Sequence, residues 1–384
     1  MKRALIITTV SGFLQQFELT NVRLLQSMGY EIHYASNFEH PVYQKECDYE
    51  KLNITIYSIP IRKNPCHICD NLKAYRMLRQ LVKEKHFQLI HCHTPMGGVF
   101  GRMVSIGLRD SPCIIYTAHG FHFYKGAPWK NWILYYTVER ILAHRTDCMI
   151  TINHEDYEYA RHMRLHNRGL IACIPGVGID LGYYGAPPSG ISRKMLGIPE
   201  NTLFILSVGE LNYNKNHRVI LRAMHLLPNQ SIFYGICGCG SDQYMQELLL
   251  YAEKLGLNMQ FRLFGYQQDV RPYLAAADVF AFPSYREGLG MAALEAMASG
   301  LPLITSDCRG TREYMISGYN GLVVPPDDAE GFAQAILIMT DIGVRREYGT
   351  NGKKMAQRFD KKYTEKRMKH IYQECERRIN SVAN

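Results

Sequence analysis

Short apolar runs alternate with helix-length segments of mixed polarity from one end of the chain to the other. In the first half, runs rich in Val, Ile, Leu and aromatic residues predict β-strands at residues 4–8, 30–35, 54–59, 88–92, 113–117 and 148–152. Segments such as 71–85 and 129–144 lie between these runs and have the length of helices. Strands that alternate with helices form βαβ units, so this pattern predicts a parallel sheet covered by helices.

A segment rich in glycine and proline, residues 174–190, interrupts this alternation and is the best candidate for a linker. A second series of strand-like runs follows, at residues 203–208, 231–237, 261–263, 279–282, 301–305 and 322–324. We therefore expect two doubly wound, Rossmann-like α/β domains, residues 1–180 and 181–362. Ligands of such sheets bind beyond the carboxyl ends of the strands, and these ends are expected to face a cleft between the domains.

The composition adds a localised positive charge. Of the 384 residues, 47% are hydrophobic and 21% are charged, values that exclude a disordered chain. The net charge is +9, and residues 62–145 carry all of it, with 13 basic and 4 acidic side chains. An anionic partner is therefore expected to bind this block, whereas a uniformly basic coat is excluded.

The chain starts with an apolar run that is too short for a signal peptide and is typical of a buried strand. No apolar run approaches the ~18–20 residues that a membrane span needs. Eleven cysteines are scattered along the chain, an odd number that favours reduced thiols in a cytosol. Five of them lie in apparent strands: Cys92, Cys113, Cys148, Cys173 and Cys237. Cys66 and Cys69 have zinc-like spacing, but no second pair of this form follows.

The segment after the run at 279–282 carries the most chemical information. A turn containing Glu287, Gly288 and Gly290 is followed by the start of a helix, whose free N–H groups suit a diphosphate. Glu295 lies more than one turn inside that apolar helix. A buried carboxylate needs hydrogen-bond donors, and a ribose diol supplies two. The alternative is that Glu295 faces solvent.

Two more predicted strands are followed by residues that are candidates for ligand binding. Gly209 and Lys215 follow the run at 203–208, and Lys215 is either a phosphate ligand or a solvated loop lysine. His119 follows the run at 113–117 and is expected to contact a sugar hydroxyl or a phosphate. His91 and His93 flank Cys92 like metal ligands, but with no carboxylate or third ligand apparent nearby, polar support of the site is favoured.

Taken together, these residues resemble the GT-B glycosyltransferases of family 4, which are retaining enzymes that use nucleotide-sugar donors. The E-x7-E element from Glu287 to Glu295 carries the resemblance most strongly. Other similar segments are 176–180, 264–270 and 320–323. Residues 90–98 and 116–128 resemble the bacterial branch that builds exopolysaccharide and capsule repeat units.

The resemblance implies a role for each candidate. Glu295 would bind the ribose, Lys215 the diphosphate, and His119 would lie by the transferred sugar. The other donor-side residues are Gly209, Glu287, Gly288, Leu289 and Gly290, and the acceptor-side residues are Ser11, Gly12, His93 and Phe121. His119, Glu287 and Lys215 are the catalytic candidates. The C-terminal helix, residues 363–384, would pack back onto the first domain.

Two departures from the family pattern stand out. Many members have an arginine at the position of Glu210, where a glutamate would repel the diphosphate unless it turned away. The Gly-Gly loop of the family is reduced to Ser11-Gly12-Phe13, which makes the acceptor contacts of that loop less defined.

The implied activity is retaining transfer of a hexosyl or N-acetylhexosaminyl group from a UDP-sugar to a polyprenyl-diphosphate-linked saccharide. Glu287 is the one carboxylate available as a nucleophile, and the family uses it for sugar binding, so front-face transfer is favoured over double displacement. The chain has no Asp-x-Asp at a strand end, and we expect neither a divalent metal nor a cofactor besides the nucleotide-sugar co-substrate.

A lipid-linked acceptor implies a cytoplasmic enzyme attached to the inner face of the plasma membrane, through the basic block 62–145. Within this block, residues 124–145 contain both tryptophans. Trp132, Ile133, Tyr135 and Tyr136 are expected to form an interfacial surface, unless this is an ordinary packing helix. The basic side chains beside them are Lys125, Lys130, Arg140 and Arg145.

Three other functions remain open at this point. A nucleotide-sugar 2-epimerase of the same architecture would turn over donor without an acceptor. A non-catalytic sugar-nucleotide or glycan-binding protein would bind donor without releasing nucleotide. Nucleic-acid binding is suggested by charge alone, and its usual motifs are absent from the sequence.

Overall fold

The computed structural model describes residues 2–39, 47–108, 111–186, 188 and 192–383. The chain divides into two compact units. The first unit comprises residues 1–177 and 362–384, and the second comprises residues 178–361. Positions 187, 189 and 190 of the expected linker lie outside the described residues.

Within the described ranges, the first unit is built on a seven-stranded parallel sheet. Its strands are β1 (Lys2–Ile7), β2 (Tyr30–Ser36), β3 (Ile54–Ser58), β4 (Leu89–His93), β5 (Cys113–Ala118), β6 (Cys148–Thr151) and β7 (Leu170–Cys173). They lie in the order β3-β2-β1-β4-β5-β6-β7, so the winding reverses between β1 and β4. The helices are α1 (Leu19–Ser27), α2 (Ile68–Lys85), α3 (Pro95–Met103), α4 (Trp129–Asn131), α5 (Thr137–Ala143) and α6 (His154–Arg161). Two π-helical segments, Leu14–Glu18 and Trp132–Tyr136, and a 3₁₀ turn, His166–Arg168, complete this series.

The continuous apolar runs form this sheet because helices cover both of its faces. Ala4 to Ile7 of β1 are all fully buried. The register sets His93, the last residue of β4, beside Thr117 of β5. Polar side chains that end neighbouring parallel strands are thereby collected at one edge of the sheet.

In the described part of the second unit, six parallel strands form the other sheet. They are β8 (Leu203–Val208), β9 (Ile232–Cys237), β10 (Phe261–Gly265), β11 (Val279–Phe282), β12 (Leu303–Ser306) and β13 (Gly321–Val324). Their order, β10-β9-β8-β11-β12-β13, is that of a dinucleotide-binding fold, with the reversal between β8 and β11. The helices are α7 (Leu181–Gly185), α8 (His217–His225), α9 (Asp242–Lys254), α10 (Arg271–Ala276), α11 (Met291–Ser299), α12 (Ala329–Ile338) and α13 (Ile342–Ala356). The 3₁₀ turns are Tyr213–Lys215, Thr311–Glu313 and Gln357–Phe359.

The last helix, α14 (Lys361–Ala383), carries the chain back into the first unit. Its buried face includes Met368, Ile371, Tyr372 and Cys375. The hydroxyl of Tyr372 lies 2.9 Å from Nδ1 of His91 on β4. This helix therefore supports one of the strands that end at the polar edge of the first sheet.

The predicted architecture of two parallel sheets with covering helices is confirmed. Every strand run named in the sequence analysis is a strand, with ends shifted by at most two residues. No run was named for β7, a strand of only four residues, three of them partly exposed, although its last residue, Cys173, was expected in a strand. The five cysteines expected in strands all lie there, and no disulfide joins any of the eleven.

The four side chains expected to form an interfacial surface within residues 124–145 differ in exposure. Trp132, Tyr135 and Tyr136 are partly buried and pack against the core of the first unit, whereas Ile133 is exposed. The three packed positions are i, i+3 and i+4, which share one face of a helix. The exposed apolar side chains of this region are Trp129, Ile133, Leu134 and Ile141. Within the described ranges, we find no helix both long and apolar enough to span a bilayer.

Candidate active site

The predicted donor-side residues of the second unit follow β8 and β11, which are neighbours in its sheet. The strand order reverses between these two strands. Open parallel sheets bind their ligands beyond the carboxyl ends of the strands at such a reversal. The fold therefore brings Gly209 and Lys215 to the same edge as Glu287.

The turn between β11 and α11 favours glycine at position 290. Gly290 has φ +91°, and a Cβ there would lie 2.7 Å from Cε1 of Phe282 and 3.0 Å from the hydroxyl of Tyr314. Leu289 is buried and anchors the turn, and α11 begins directly after Gly290. Because the first N–H groups of a helix lack partners within it, this turn presents donors suited to an anion.

Lys215 and Glu287 form an ion pair across the two loops, with 2.7 Å between Nζ and Oε1. The two side chains are only 18% and 13% exposed. The ammonium also lies 4.9 Å from the centre of the Phe282 ring. Gly209 lets the lysine approach closely, because a Cβ there would lie 3.3 Å from Cε of Lys215. The predicted phosphate ligand is therefore held in place rather than solvated.

Backbone contacts fix the loops that carry this pair. The amide N–H of Tyr285 donates to the carbonyl of Asn214 at 2.8 Å. The side-chain amide of Asn214 donates to the carbonyl of Arg286 at 2.9 Å. Asn212 caps the turn by accepting a hydrogen bond from the N–H of Lys215 at 3.2 Å. The ion pair thus sits on a preorganised support, although its residues are 72 positions apart in the chain.

Glu295 is not the freely solvated helix residue that one alternative supposed. Burial raises the pKa of its carboxyl to about 7, and a hydrogen bond from the hydroxyl of Tyr184 opposes this shift. Tyr184 belongs to α7, which packs against α11. The carboxyl group is thus placed to accept hydroxyl hydrogen bonds, as a ribose would offer.

In the first unit, three polar side chains meet: Glu18, His93 and His119. Nε2 of His119 lies 3.2 Å from Nδ1 of His93. The same Nδ1 lies 3.4 Å from Oε1 of Glu18, the last residue of the π-helical segment Leu14–Glu18. Glu18 and His93 are buried, whereas His119 is partly exposed. The ring of Phe13 packs edge-on against His119, with 5.0 Å between centroids.

Glu18 is a carboxylate beside the histidine pair, where the sequence analysis found none. It comes from 75 positions earlier in the chain than His93, and no local pattern links them. Burial raises the pKa of Glu18 to about 8 and lowers that of His119 to about 4. Burial also lowers the pKa of His91 to about 3 and that of His93 well below its usual value.

Glu18, His93 and His119 are residue types that bind zinc, and their ligand atoms lie within 4.8 Å of one another. However, Nε2 of His93 is buried and has no hydrogen-bond partner in the described part of the chain. A metal-bound imidazole almost always donates its other N–H to a neighbour. The contacts instead fit a hydrogen-bonded network, which His91 borders through its bonds to Tyr372 and Thr117.

The remaining acceptor-side candidates, Ser11, Gly12 and Phe121, shape the backbone or the core of the first unit. Ser11 is buried, and its N–H donates to the carbonyl of Asn37 at 3.0 Å. Gly12 has φ +83°, which turns the chain into the π-helical segment. Phe121 is buried and stacks on Phe123, with 4.6 Å between ring centroids. Its side chain therefore belongs to the core.

Sequence reasoning missed three residues of these two sites: Glu18, Tyr184 and Tyr314. The hydroxyl of Tyr314 is buried beside Gly290, without a hydrogen-bond partner among the described residues. Each of the three comes from a segment distant in sequence from the motif it supports. Aromatic residues in an apolar context gave no signal that would separate them from the core.

Two family models match the chain. Residues 4–153 match the family described as "Glycosyl transferase 4-like", and residues 189–355 match "Glycosyl transferases group 1". The first match lies in the first unit and the second in the second unit.

Two curated relatives match over most of their length. EpsD of Bacillus subtilis (strain 168), whose name places it among glycosyltransferases, is 36% identical over 97% of this chain and 96% of its own. The UDP-Gal:alpha-D-GlcNAc-diphosphoundecaprenol alpha-1,3-galactosyltransferase of Escherichia coli is 26% identical over 88% of this chain and 86% of its own.

Solved structures show the same fold. Sucrose-phosphate synthase from Thermosynechococcus elongatus superposes with a TM-score of 0.79 at 21% identity, over 97% of this chain and 99% of that one. HepE of Anabaena, in complex with UDP-glucose, superposes with a TM-score of 0.76 at 19% identity, over 99% and 100%. At these identities the likeness establishes the fold alone.

Proposed function

The chain belongs to the group 1, family 4-like glycosyltransferases of GT-B type, and we propose that it transfers a sugar from a UDP-sugar to a saccharide carried on a polyprenyl diphosphate. Transfer would proceed with retention and serve exopolysaccharide or capsule synthesis. The ion pair of Lys215 and Glu287, at the sheet edge that also carries Glu295, is the observation that supports this most directly. The names of the Escherichia coli relative and of the HepE complex support the choice of acceptor and nucleotide.

In the proposed reaction, the bond between the anomeric carbon and the diphosphate breaks while the acceptor oxygen bonds to that carbon on the same face. The acceptor proton passes to an oxygen of the departing diphosphate. An ammonium has three donors, so Lys215 can keep one contact to Glu287 and still bind the leaving group. Its charge offsets the negative charge that develops there, which is the main catalytic contribution we assign to the protein.

Glu287 and Glu295 divide the recognition of the donor. Glu287 would accept hydrogen bonds from hydroxyls of the transferred sugar, with the N–H groups of residues 288–290 beside it. Glu295 would take the ribose diol in place of the Tyr184 hydroxyl. Because Tyr184 already donates to this carboxyl, the ribose exchanges one hydrogen bond for another and no buried acceptor is left unpaired.

The donor can be identified by a thermal-shift screen of nucleotide sugars and free nucleotides on the full chain. A ligand that binds the native state raises its melting temperature by mass action, so the true donor should stand out. We expect UDP-sugars to give the largest shifts and the variant Glu295→Gln to reduce them. Equal shifts for all nucleotide bases would contradict the assignment of a UDP-sugar.

The acceptor and the stereochemistry need an assay of transfer. The donor found in the screen is incubated with polyprenyl-diphosphate-linked saccharides, and the anomeric configuration of the product is read by NMR. We expect UDP release to require the acceptor and the product to retain the donor's configuration. Release without an acceptor, with a changed sugar, would instead indicate a 2-epimerase, and binding without release would indicate a non-catalytic protein.

We further propose that the enzyme works in the cytoplasm, at the inner face of the plasma membrane. The helical segment from α4 to α5 exposes four large apolar side chains, Trp129, Ile133, Leu134 and Ile141. Lys130, Arg140 and Arg145 are exposed on the same stretch. Apolar side chains flanked by basic ones are typical of helices that lie in an anionic interface.

This attachment can be tested by co-sedimentation with anionic vesicles of phosphatidylglycerol and phosphatidylethanolamine. We expect binding at low salt that falls with added salt, and a loss of binding in the double variant Trp129→Ser, Ile133→Ser. The matched control is Leu250→Ser, since Leu250 is 62% exposed in the second unit. If wild type does not bind at low salt, or the control loses binding equally, the proposed surface is wrong.

A further inference from the structure

The network around His119 contains one atom that two neighbours share. Nδ1 of His93 lies 3.4 Å from Oε1 of Glu18 and 3.2 Å from Nε2 of His119. A ring nitrogen carries either a proton or a lone pair, so it cannot donate to one of these neighbours while it accepts from the other. The proton on Glu18 and the proton on His119 are therefore linked through His93.

Asn21 determines which oxygen of Glu18 takes part. Its side-chain amide donates to Oε2 of Glu18 at 2.6 Å, so Oε2 is an acceptor. When the carboxyl is protonated, its proton accordingly lies on Oε1, the oxygen 3.4 Å from Nδ1 of His93. Nδ1 then accepts, and His119 meets it with a proton on Nε2.

Loss of the Glu18 proton reverses this arrangement. The carboxylate attracts a proton to Nδ1 of His93, where it also faces Nε2 of His119. Nε2 of His119 becomes an acceptor, and the proton of that ring moves to Nδ1. The proton of the carboxyl passes to solvent, and each imidazole keeps one proton on the other nitrogen. This state also removes the unpartnered N–H at Nε2 of His93, which is buried.

We propose that Glu18 is a positioning residue of the transfer reaction. It acts through His93 to determine whether Nδ1 of His119 donates or accepts a hydrogen bond. This rests on the proposed function and on the place beside the transferred sugar that the family resemblance implies for His119. Ionised Glu18 gives His119 an N–H at Nδ1 that can donate to a substrate oxygen. Protonated Glu18 leaves Nδ1 with a lone pair, which cannot stabilise such an oxygen.

The surroundings make Glu18 the group that titrates in this network near neutral pH. Burial raises its pKa to about 8. The titratable groups facing it are His91 and His93 on β4, His119 after β5, Tyr34 on β2 and Tyr372 on α14. Burial keeps the three imidazoles and the two phenols uncharged. None of the ion pairs among the described residues gives Glu18 a lysine or arginine partner.

The first test is the pH profile of kcat at saturating donor and acceptor. With a pKa of about 8, the ionised fraction of Glu18 rises about 30-fold between pH 6.5 and 9.0, and wild-type kcat should rise with it. Glu18→Gln cannot ionise, and Asn21 turns its carbonyl away from His93, so its NH2 imitates the protonated acid. We expect its kcat to stay within threefold over this range and to lie at least tenfold below wild type at pH 9.0.

Controls separate this role from a structural one. Glu31→Gln removes the carboxylate of a second glutamate–histidine pair, 3.2 Å from His33, and should follow the wild-type profile. The affinity of Glu18→Gln for UDP, measured by calorimetry, should equal that of wild type, because the donor residues lie in the second unit. A Glu18→Gln enzyme that keeps the rise of kcat with pH overturns the proposal.

A second readout does not need any transfer activity. In protein labelled with ¹⁵N-histidine, nitrogen shifts report which ring nitrogen carries the proton, and His119→Gln assigns the signals. We expect the His119 proton to move from Nε2 to Nδ1 between pH 6.5 and 9.5 in wild type and to stay on Nε2 in Glu18→Gln. If the tautomer does not change in wild type, the proposal is wrong, even for a protein that transfers sugar. If it changes as expected in a protein that transfers none, the proposed function fails and the link between Glu18 and His119 stands.

Discussion

Replacing Glu18 by glutamine should stabilise the first unit, by an amount that grows with pH. Glu18 is 1% exposed, and burial raises the pKa of its carboxyl from 4.5 to about 8. A carboxyl whose pKa is higher in the folded than in the unfolded chain holds its proton more tightly when folded. Its contribution to stability is therefore complete below about pH 4.5 and is lost as the pH rises to about 8.

The size of the effect follows from the same shift. Wild type should lose about 1.4 kcal/mol of unfolding free energy per pH unit between these two values, or about 5 kcal/mol in all. Glutamine has no proton to lose and can still accept the hydrogen bond from Asn21. The free energy of unfolding of Glu18→Gln, minus that of wild type, should rise by this amount and level off above pH 8. Histidines that titrate in the same range are present in both proteins and cancel.

The measurement is urea unfolding at several pH values from 5 to 9, followed by tryptophan fluorescence. Both tryptophans, Trp129 and Trp132, lie in the first unit, so the signal reports that unit alone. Glu31→Gln is the control. A hydrogen bond from Arg3 lowers the pKa of Glu31. The contribution of Glu31 to the free energy of unfolding therefore changes only as the pH falls below the pKa of an ordinary carboxyl. Glu31 also raises the pKa of His33, whose pKa lies below its usual 6.5, so the difference between Glu31→Gln and wild type should be constant from pH 7 to 9.

The outcome that refutes the reasoning is a difference between Glu18→Gln and wild type that does not change from pH 5 to 9. Glu18 would then ionise as easily in the folded chain as in the unfolded one. The proposed coupling to His119 would lose the group that drives it near neutral pH.

Three further predictions concern the donor side. Lys215→Ala should lower kcat by about 100- to 1,000-fold and raise the KM for donor much less, because the lysine charge acts on the leaving diphosphate. An unchanged kcat in steady-state assays would show that Lys215 does not have this role. EDTA should leave the transfer rate intact, and a rate that falls with EDTA and returns with Mg²⁺ would show metal dependence. Gly290→Ala should weaken UDP binding in calorimetry, because the added Cβ would collide with Phe282. Gly318→Ala should not, because a Cβ at this residue, with φ +79°, has no atom within 4 Å. Equal losses of affinity in the two variants would show that the collision with Phe282 is not the cause.

The fold was predictable because its sheets are buried on both faces. Such strands are continuous apolar runs, and the sequence marks the ends of every strand except β7 within two residues. The donor side was predictable for a related reason. Gly288, Gly290 and the two glutamates lie within nine positions, at a strand end where the local chain alone dictates the turn. Lys215 comes from another loop, but its strand is the neighbour of β11 in a common topology.

The exposed face of the segment 129–143 was not predictable from helical spacing alone. Positions i, i+3 and i+4 share one face of a helix, so the spacing of Trp132, Tyr135 and Tyr136 does predict that they lie together. That face packs on the core, whereas Ile133, which was grouped with them, lies on the exposed side. An apolar face with this spacing suits either a protein core or a membrane interface, so the pattern alone did not decide between the two.

Glu18 shows the stronger limit of local reasoning. It lies between β1 and α1, in a segment whose neighbours Phe13, Leu14 and Phe17 give it the pattern of a helix start. Its partners come from β4 and the end of β5, 75 and 101 positions further along the chain. The role of a carboxyl that has no cationic partner can be inferred only when its burial is known, because burial determines whether the carboxyl is ionised. The half of the site that rests on one short motif could thus be found in the sequence, whereas the half assembled from three distant strand ends required the structure.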